Sequence, residues 1–292
     1  MDLGKVGIWS GRLTRRPTPA ALDLSAEWEQ LGYGALWVPE SPGGKDVLTF
    51  AAILLGATDR MVLATGIAIV WARDPTAMMN AGRTLADAHP GRFLLGLGVS
   101  HESTALARGH EYRRPLSTMR AYLQAMDEAS FDGHPATPTA PRVIAALGPK
   151  MIALGGELAD GVHPFLSSPD HTFEARRILG PGKLIAVELG VVLETDRRRA
   201  RDAARANLER FLRWPNYRNH FQRLGYEDSD LAGGGNDRLI DHIYALGDVG
   251  AIRGRVAEHI EAGADHVCLQ IIAGGQEEGA ALRELAPGLL SL

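Results

Sequence analysis

The chain has 292 residues, of which 45% are hydrophobic and 23% are charged, and its formal net charge is -4. This balance is typical of a globular protein with a sizeable core, and it gives no reason to expect nucleic acid or a membrane as the main partner. The single cysteine, Cys268, excludes an internal disulfide and indicates a reducing, cytoplasmic setting, while the apolar stretches are shorter than the roughly 20 residues of a membrane span.

Short apolar runs alternate with longer amphipathic runs along the chain, which predicts strands alternating with helices. Eight strands are predicted, at 5–10, 35–40, 63–75 (with Asp74 and Pro75 already opening the next helix), 93–100, 142–148, 161–165, 184–195 and 266–272. Helices are predicted from residue 18 to Gly32, at 46–58, 75–89, 115–129, 149–160 and 169–179, from residue 196, around 249–260, and at the end of the chain. Asp74 and Pro75 illustrate how the start of a helix is recognised, because an aspartate can cap a helix and proline suits its first position.

Eight apolar strands joined by helices predict a parallel sheet that is covered on its outside. Eight such units close as an α/β (β/α)8 TIM barrel, which we expect to form a single domain over residues 1–292. An open, doubly wound sheet is the competing architecture, although no G-x-G-x-x-G pattern follows the first strand. Residues 215–247 form an irregular insertion after the seventh helix, either a lid or a surface excursion.

In such a barrel the functional residues lie at the carboxyl ends of the strands. The sequence places no metal-ligand spacing, no nucleophile elbow and no strand-ending lysine there. Instead the rim is rich in glycine and small residues with a few polar groups, which would let the backbone approach a large, flat ligand closely. The strand-end residues are Ser10, Gly11, Glu40, Ser41, Gly66 to Trp71, Gly98 to Glu102, Leu147, Gly148, His163, the region of Glu194, and Gln270.

The segment at 145–161 predicts an anion site. Its strand ends at Gly148, Pro149 takes the first helical position and Lys150 follows, so free N–H groups, the helix dipole and one cation meet. An ordinary tight turn explains the same residues. Gly155 and Gly156 are unfavourable inside a helix, so we expect either close packing of backbone or ligand there, or a break in the helix.

Four runs, ALWVPES, ATGIAIVWARDP, GRFLLGLGVSH and AALGPKMIALGGELADG, at these separations resemble the luciferase-like monooxygenase superfamily, and more closely its coenzyme F420-dependent oxidoreductases. The resemblance covers nearly the whole chain and is weakest over 215–247. It implies a luciferase-like barrel that binds F420, or alternatively FMN, at the carboxyl ends of its strands. It also implies small-molecule substrates and, by analogy with many members, a homodimer.

The resemblance further implies a bulge in the third strand, with a cis peptide between Gly66 and Ile67 behind the deazaflavin ring. An ordinary bulge, or a glycine left for barrel packing, is the simpler alternative. A histidine of the sugar-phosphate dehydrogenases in this family is replaced by Ser41, which argues against such substrates. The predicted cofactor-binding residues are Ser41, Thr65, Gly66, Ile67, Gly98, Ser100, Ala146, Leu147, Gly148, Lys150, Gly155, Gly156 and His163.

His101 and Glu40 are the candidate catalytic residues. A histidine of near-neutral pKa suits proton transfer, but His101 would also fit a solvated loop. A buried Glu40 could hydrogen-bond to the backbone instead of acting in catalysis. Two weaker candidates are the Arg12, Arg15 and Arg16 group for an anionic cofactor tail, and Trp71 for a pocket wall.

Three functions are compatible with these residues. The first is an F420-dependent oxidoreductase that transfers a hydride between the deazaflavin and a small organic substrate. The second is an FMN-dependent luciferase-like monooxygenase. The third is a barrel that binds a flavin or deazaflavin without catalysis.

Overall fold

Strands and helices alternate along the chain in the computed structural model, which describes residues 1–134, 139–272 and 277–292. The strands are β1 (Val6–Trp9), β2 (Ala35–Val38), β3 (Val62–Thr65), β4 (Ala68–Ile69), β5 (Phe93–Gly98), β6 (Arg142–Ile144), β7 (Gly161–Val162), β8 (Leu184–Leu193), β9 (Tyr244–Gly247) and β10 (His266–Ile271). The helices are α1 (Thr18–Gln30), α2 (Val47–Leu55), α3 (Pro75–Ala88), α4 (Glu102–Ala107), α5 (Pro115–Asp127), α6 (Pro149–Leu158), α7 (Pro169–Leu179), α8 (Arg197–Leu212), α9 (Pro215–Arg223), α10 (Asp228–Leu231), α11 (Asp237–Ile243), α12 (Val249–Glu261) and α13 (Glu278–Leu289).

The strands close into a parallel barrel. β1 pairs with both β2 and β10, and β10 pairs in turn with β8, so the ring has no open edge at the point where the chain begins and ends. β3 and β4 both pair with β5 and together occupy one position of the ring. The predicted (β/α)8 barrel is therefore confirmed, and the open doubly wound sheet is excluded.

Alternate residues of each strand face the barrel interior and the surrounding helices. Val6 and Ile8 belong to the core between strands and helices, whereas Trp9 belongs to a smaller cluster inside the barrel. On β2, Leu36 likewise belongs to the core between strands and helices, and Trp37 belongs to the cluster inside the barrel. Because both faces are covered, most strand residues are apolar, and this is why the strands read as nearly continuous apolar runs in the sequence.

Aspartate caps begin several helices, as the sequence predicts. The Asp74 carboxylate accepts a hydrogen bond from the Ala77 N–H, and Asp46 and Asp196 cap α2 and α8 in the same way. Each cap satisfies a backbone donor that has no partner within the helix. The predicted positions of the outer helices are therefore right, although α2 is shorter than expected and α4 was not predicted.

The region 215–247 is regular, and its prediction as an irregular insertion is wrong. It contains α9, α10, a 3-10 turn over Ala232–Gly234, α11 and β9. β9 extends the sheet by pairing in parallel with the end of β8, outside the barrel ring. These elements share with α8 a hydrophobic cluster that includes Leu208, Phe221 and Ile243. The helices are too short to show a clear period in the sequence, which is why they were missed.

Candidate functional site

A cavity of about 580 Å³ opens at the carboxyl ends of the barrel strands. Residues that follow β1, β2, β3, β5, β6 and β7 form its floor and one side, and α8 and α9 close the other side. The structure brings most of the predicted site residues to this cavity: Glu40, Ser41, Gly66, Ile67, Ser100, His101, Ala146, Leu147, Gly148 and His163.

The cavity floor is the interruption between β3 and β4. The peptide bond between Gly66 and Ile67 is cis, which confirms that prediction. Trp9 Nε1 donates to the Gly66 carbonyl over 2.9 Å. A Cβ at Gly66 would lie only 2.8 Å from Trp9 Nε1 and 3.1 Å from His163 Nε2. Glycine is required here because no side chain fits between the floor and these two rings.

Glu40 holds the bulge in place. Its carboxylate accepts a hydrogen bond from the Ile69 N–H at 2.7 Å and forms an ion pair with Arg73 at 2.9 Å. Its own N–H donates to the Ile67 carbonyl. The Glu40 side chain is only 4% exposed, so these bonds occupy a nearly buried carboxylate. The arrangement matches the alternative of a backbone-bonded carboxylate, and a catalytic role for Glu40 stays a prediction.

His163 supplies a hydrogen-bond acceptor under the floor. Its Nδ1–H donates to the Ala186 carbonyl over 2.8 Å, and its ring stacks on Trp37 with centroids 4.4 Å apart. Burial lowers the His163 pKa to about 4. Nε2 has no hydrogen-bond partner within the described residues. His163 is therefore a neutral imidazole whose Nε2 lone pair lies beside Gly66.

His101 is held against the opposite wall. Its ring stacks on Trp214 with centroids 3.9 Å apart and an interplanar angle of 3°. Burial lowers the His101 pKa to about 4, and Arg213 acts in the same direction. At such a pKa the imidazole is neutral at pH 7, and the sequence did not reveal this because the residues that cover the histidine were not predicted. Participation of His101 in catalysis stays a prediction.

The α9 wall was missed by the sequence analysis. Trp214 precedes α9, and Asn216, Tyr217, Asn219 and Arg223 lie on it; all five line the cavity. Phe165, after β7, packs against Phe211 of α8 at a centroid distance of 5.3 Å and joins the wall to the floor. The available signal was the run WPNYRNHF at 214–221, in which proline marks a helix start and the aromatic residues recur at helical spacing.

The start of α6 forms the cationic end of the cavity. Gly148 caps the helix and Pro149 takes its first position, as predicted. The guanidinium of Arg223 lies beside Gly148, 3.7 Å from the position that a Cβ would take there. Lys150 is exposed and lies outside the cavity lining. The cation at this helix start is therefore Arg223 of the insertion, and the placement of Lys150 in the predicted anion site is corrected.

Besides Lys150, four predicted cofactor residues lie outside the cavity lining. The Thr65 hydroxyl bonds to both the N–H and the carbonyl of Gly96, so it supports the bulge from behind. Gly98 makes room for the Ile67 side chain, whose Cδ1 would lie 2.7 Å from a Cβ there. Gly155 packs against Val162, and Gly156 packs against Leu179. These last two glycines serve close helix packing, so their proposed contact with the cofactor is corrected.

The upper rim is fixed by several backbone contacts. Ser100 has a φ of 53°, and its carbonyl accepts a hydrogen bond from the Tyr112 hydroxyl. The Trp71 indole donates to the Val99 carbonyl, so it supports the rim from behind instead of walling the pocket. Positive φ is uncommon for a residue other than glycine, and here it turns Ser100 into the cavity lining.

Neither a metal site nor a membrane span is found in the part of the chain that the structure describes. No group of three or more histidine, cysteine, aspartate or glutamate side chains is placed to hold a metal ion there. No helix within the same residues is long and apolar enough to cross a membrane.

Comparisons with known proteins agree with this geometry. A 5,10-methylenetetrahydromethanopterin reductase of Methanolobus tindarius is 28% identical over 150 residues, which are 46% of this chain and 46% of that protein. The chain thus spans about half the length of this curated relative. An F420-dependent secondary alcohol dehydrogenase, solved with an F420-acetone adduct, superimposes with a TM-score of 0.79 at 15% identity, covering 99% of both chains.

A coenzyme F420-dependent tetrahydromethanopterin reductase from Methanopyrus kandleri superimposes equally well, with a TM-score of 0.79 at 16% identity and 99% coverage of both chains. At such low identity the two superpositions show the fold alone. The model of the luciferase-like monooxygenase family matches residues 5–266, nearly the whole chain. With the barrel and the bulged third strand in place, the chain belongs to the luciferase-like monooxygenase family.

Proposed function

We propose that this protein is an oxidoreductase that uses coenzyme F420 to transfer a hydride to or from a small organic molecule. The observation that carries the proposal is the shape of the cavity. A glycine floor without room for a side chain lies at one end, and a helix start with the Arg223 guanidinium lies at the other. This arrangement fits a flat ring joined to an anionic tail.

The residues that would hold this cofactor come from both halves of the cavity. Ile67 and the Gly66 backbone would support the ring, and the backbone of 146–148 would line its edge. The N–H groups that begin α6, together with Arg223, would bind a phosphate. A deazaflavin supplies a carbon that gives or takes a hydride and, unlike a flavin, it reacts poorly with oxygen.

The side chains around the floor orient the reactants and exclude water. Trp214 and Tyr217 of the α9 wall present aromatic surface to the cavity, and burial raises the pKa of the Tyr217 hydroxyl. His101 and His163 both have pKa values lowered to about 4, so they are neutral at pH 7. They can therefore form hydrogen bonds at the cavity, but neither stores a proton at neutral pH.

Titration with the two cofactors tests the proposal. We expect F420 to bind with a dissociation constant in the micromolar range or below, followed by its fluorescence, and FMN to bind at least tenfold more weakly. Gly254→Ala serves as a control for replacing a glycine with alanine elsewhere in the barrel. Nothing lies within 4 Å of its added Cβ on α12, so this variant should bind F420 like the parent protein. Tight binding of FMN without binding of F420 would contradict the proposal and support the monooxygenase alternative.

Two further expectations belong to the same proposal. A homodimer and a cytoplasmic location follow from the family resemblance and from the single buried cysteine, Cys268. Light scattering of the purified protein checks the first, and fractionation of the source cells checks the second.

A further inference from the structure

A second cavity, of about 330 Å³, lies beside the first at the carboxyl ends of β1 and β10. The two cavities share Trp9, Arg210 and Phe211 in their walls. The second cavity is bounded by the loop after β1, by one side of α8, and by the first residue of α13, Glu278. Of its polar side chains, Arg210 also lines the first cavity, and Arg12 and Arg15 are two of the arginines that the sequence analysis considered for an anionic cofactor tail.

Two buried oxygen atoms on its inner side have no hydrogen-bond partner within residues 1–134, 139–272 and 277–292. Glu278 is 2% exposed, and Oε1 of its carboxyl accepts a hydrogen bond from Ser10 Oγ at 2.8 Å. Ser10 Oγ is itself fixed, because it accepts from the Leu13 N–H. Glu278 Oε2 and Gln270 Oε1 are buried and find no hydrogen-bond partner among the residues that the structure describes. Leaving such atoms without a partner costs free energy, so a ligand with a donor group would be favoured here.

The rim of the same cavity is cationic. Arg12 and Arg15 reach it from the loop after β1, and Arg210 reaches it from α8. None of the three forms an ion pair within the described ranges, whereas most arginines earlier on α8 are paired with acidic residues. Asn207 also lines the cavity, and its Oδ1 accepts a hydrogen bond from the Tyr244 hydroxyl. Guanidinium groups around a concave site favour a carboxylate or phosphate.

We propose that this second cavity binds a small organic anion that also carries a hydroxyl or amino group, as the anionic end of the substrate. Arg12, Arg15 and Arg210 bind the anion, and Glu278 and Gln270 accept hydrogen bonds from the hydroxyl or amino group. Because Arg210 and Phe211 border both cavities, such a ligand can reach from this site toward the floor at Gly66. The inference rests on the proposed function only for the statement that the ligand is the substrate.

Three four-carbon dicarboxylates test the site on the protein without cofactor. L-malate, L-aspartate and succinate differ only in a hydroxyl, an ammonium or a hydrogen at one carbon. Calorimetric titration is expected to show that malate or aspartate binds at least tenfold more tightly than succinate. Glu278→Gln keeps the shape of the side chain and its bond to Ser10, and it should reduce that preference. Equal binding of all three, or no binding at millimolar concentration, overturns the proposal.

A pair of arginine variants tests the cationic rim. Arg210→Gln should weaken binding of all three dicarboxylates about tenfold, because a charge-assisted hydrogen bond is lost. Arg198→Gln removes the same charge from the exposed side of the same helix and should leave binding unchanged. Equal effects of the two variants would show a general charge effect and would contradict a built site.

Competition with the cofactor separates the two proposals. If F420 binds and the dicarboxylates still bind to the F420-saturated protein, both hold. If F420 displaces the dicarboxylates, the cavity holds the tail of the cofactor, and its assignment to the substrate is wrong. If F420 does not bind but malate does, the proposed function fails while the anion site remains.

Discussion

The two sides of the cavity differ in how the sequence encodes them. The floor at Gly66 is specified locally, because a Cβ there would collide with Trp9 and His163, and only glycine avoids the collision. The α9 wall is specified by packing at a distance, through an aromatic cluster that joins Phe165, Phe211 and Tyr217. A local backbone requirement leaves a visible motif, whereas a docked helix leaves only a short amphipathic run.

The largest expected effect is on the floor. Gly66→Ala places a methyl group 2.8 Å from Trp9 Nε1, so the floor or the two rings must move. Overpacking of this kind costs about 1–3 kcal/mol of folding stability. If the cofactor needs the floor in its parent position, a similar cost falls on binding, where roughly 1.4 kcal/mol corresponds to tenfold. F420 titration is therefore expected to show binding that is roughly 10- to 100-fold weaker.

Circular dichroism and thermal melting must show that the Gly66→Ala variant is folded. Gly254→Ala, on α12, should bind F420 like the parent protein. Unchanged binding by Gly66→Ala would mean that the floor does not contact the cofactor.

A smaller effect is expected at the cationic end of the wall. Arg223→Gln removes the guanidinium beside Gly148, and F420 should bind about tenfold more weakly because a charge-assisted bond is lost. The difference should shrink as salt is raised, since screening weakens the interaction in the parent protein. Arg218→Gln on the same helix is the matched control, because Arg218 pairs with Asp228 at the surface. An equal loss of F420 affinity in both variants would show that Arg223 does not bind the cofactor.

The contact between wall and rim can be measured without cofactor. Trp214→Ala uncovers the His101 ring, so the His101 pKa should rise from about 4 toward its ordinary value of 6.5. The rise follows because burial is the main cause of the lowered value. NMR titration of the imidazole signals, assigned with His101→Asn, measures the shift. A pKa that stays near 4 would show that Trp214 is not what covers His101.

The last effect concerns folding stability, which should depend on pH. Burial lowers the pKa values of His163 and His266 to about 4, and that of His259 to about 3. The unfolded chain therefore binds more protons below pH 6.5, and the free energy of unfolding should fall as the pH drops from 6.5 toward 4. Urea denaturation at several pH values measures the decline, which is expected to amount to about 1 kcal/mol or more.

Glu188 should act in the opposite direction at higher pH. Burial raises its pKa to about 8, so the folded state holds a proton that the unfolded state has lost above pH 4.5. Its contribution to stability is therefore present below pH 4.5 and is lost as the pH rises toward 8. Glu188→Gln should remove this loss of stability between about pH 4.5 and 8 and leave the slope of the profile below pH 4.5 unchanged. If the free energies of unfolding of the parent and the variant differ by the same amount from pH 4.5 to 8, Glu188 is not a buried, protonated side chain.

The sequence predicted the barrel because most strand residues are apolar and several helices begin at a recognisable cap, such as Asp74. The floor was predicted through the resemblance to the F420-dependent oxidoreductases. From the residues alone, the glycine at position 66 fitted an ordinary bulge or barrel packing just as well. It could not assign the role of Gly155 correctly, because the sequence does not distinguish a glycine that allows close helix packing from one that allows ligand contact. Nor could it find Arg223, which reaches the start of α6 from 75 residues away along the chain.

The pairing of β9 with β8 has a thermodynamic consequence. The insertion leaves the barrel through α8 and returns as a strand in the same sheet, and Gly190 gives the Tyr244 ring room to lie against β8. The inserted elements are thus joined to the barrel at both of their ends. We therefore expect them to unfold together with the barrel in one cooperative transition. A ligand that contacts only the wall would then raise the melting temperature of the whole protein.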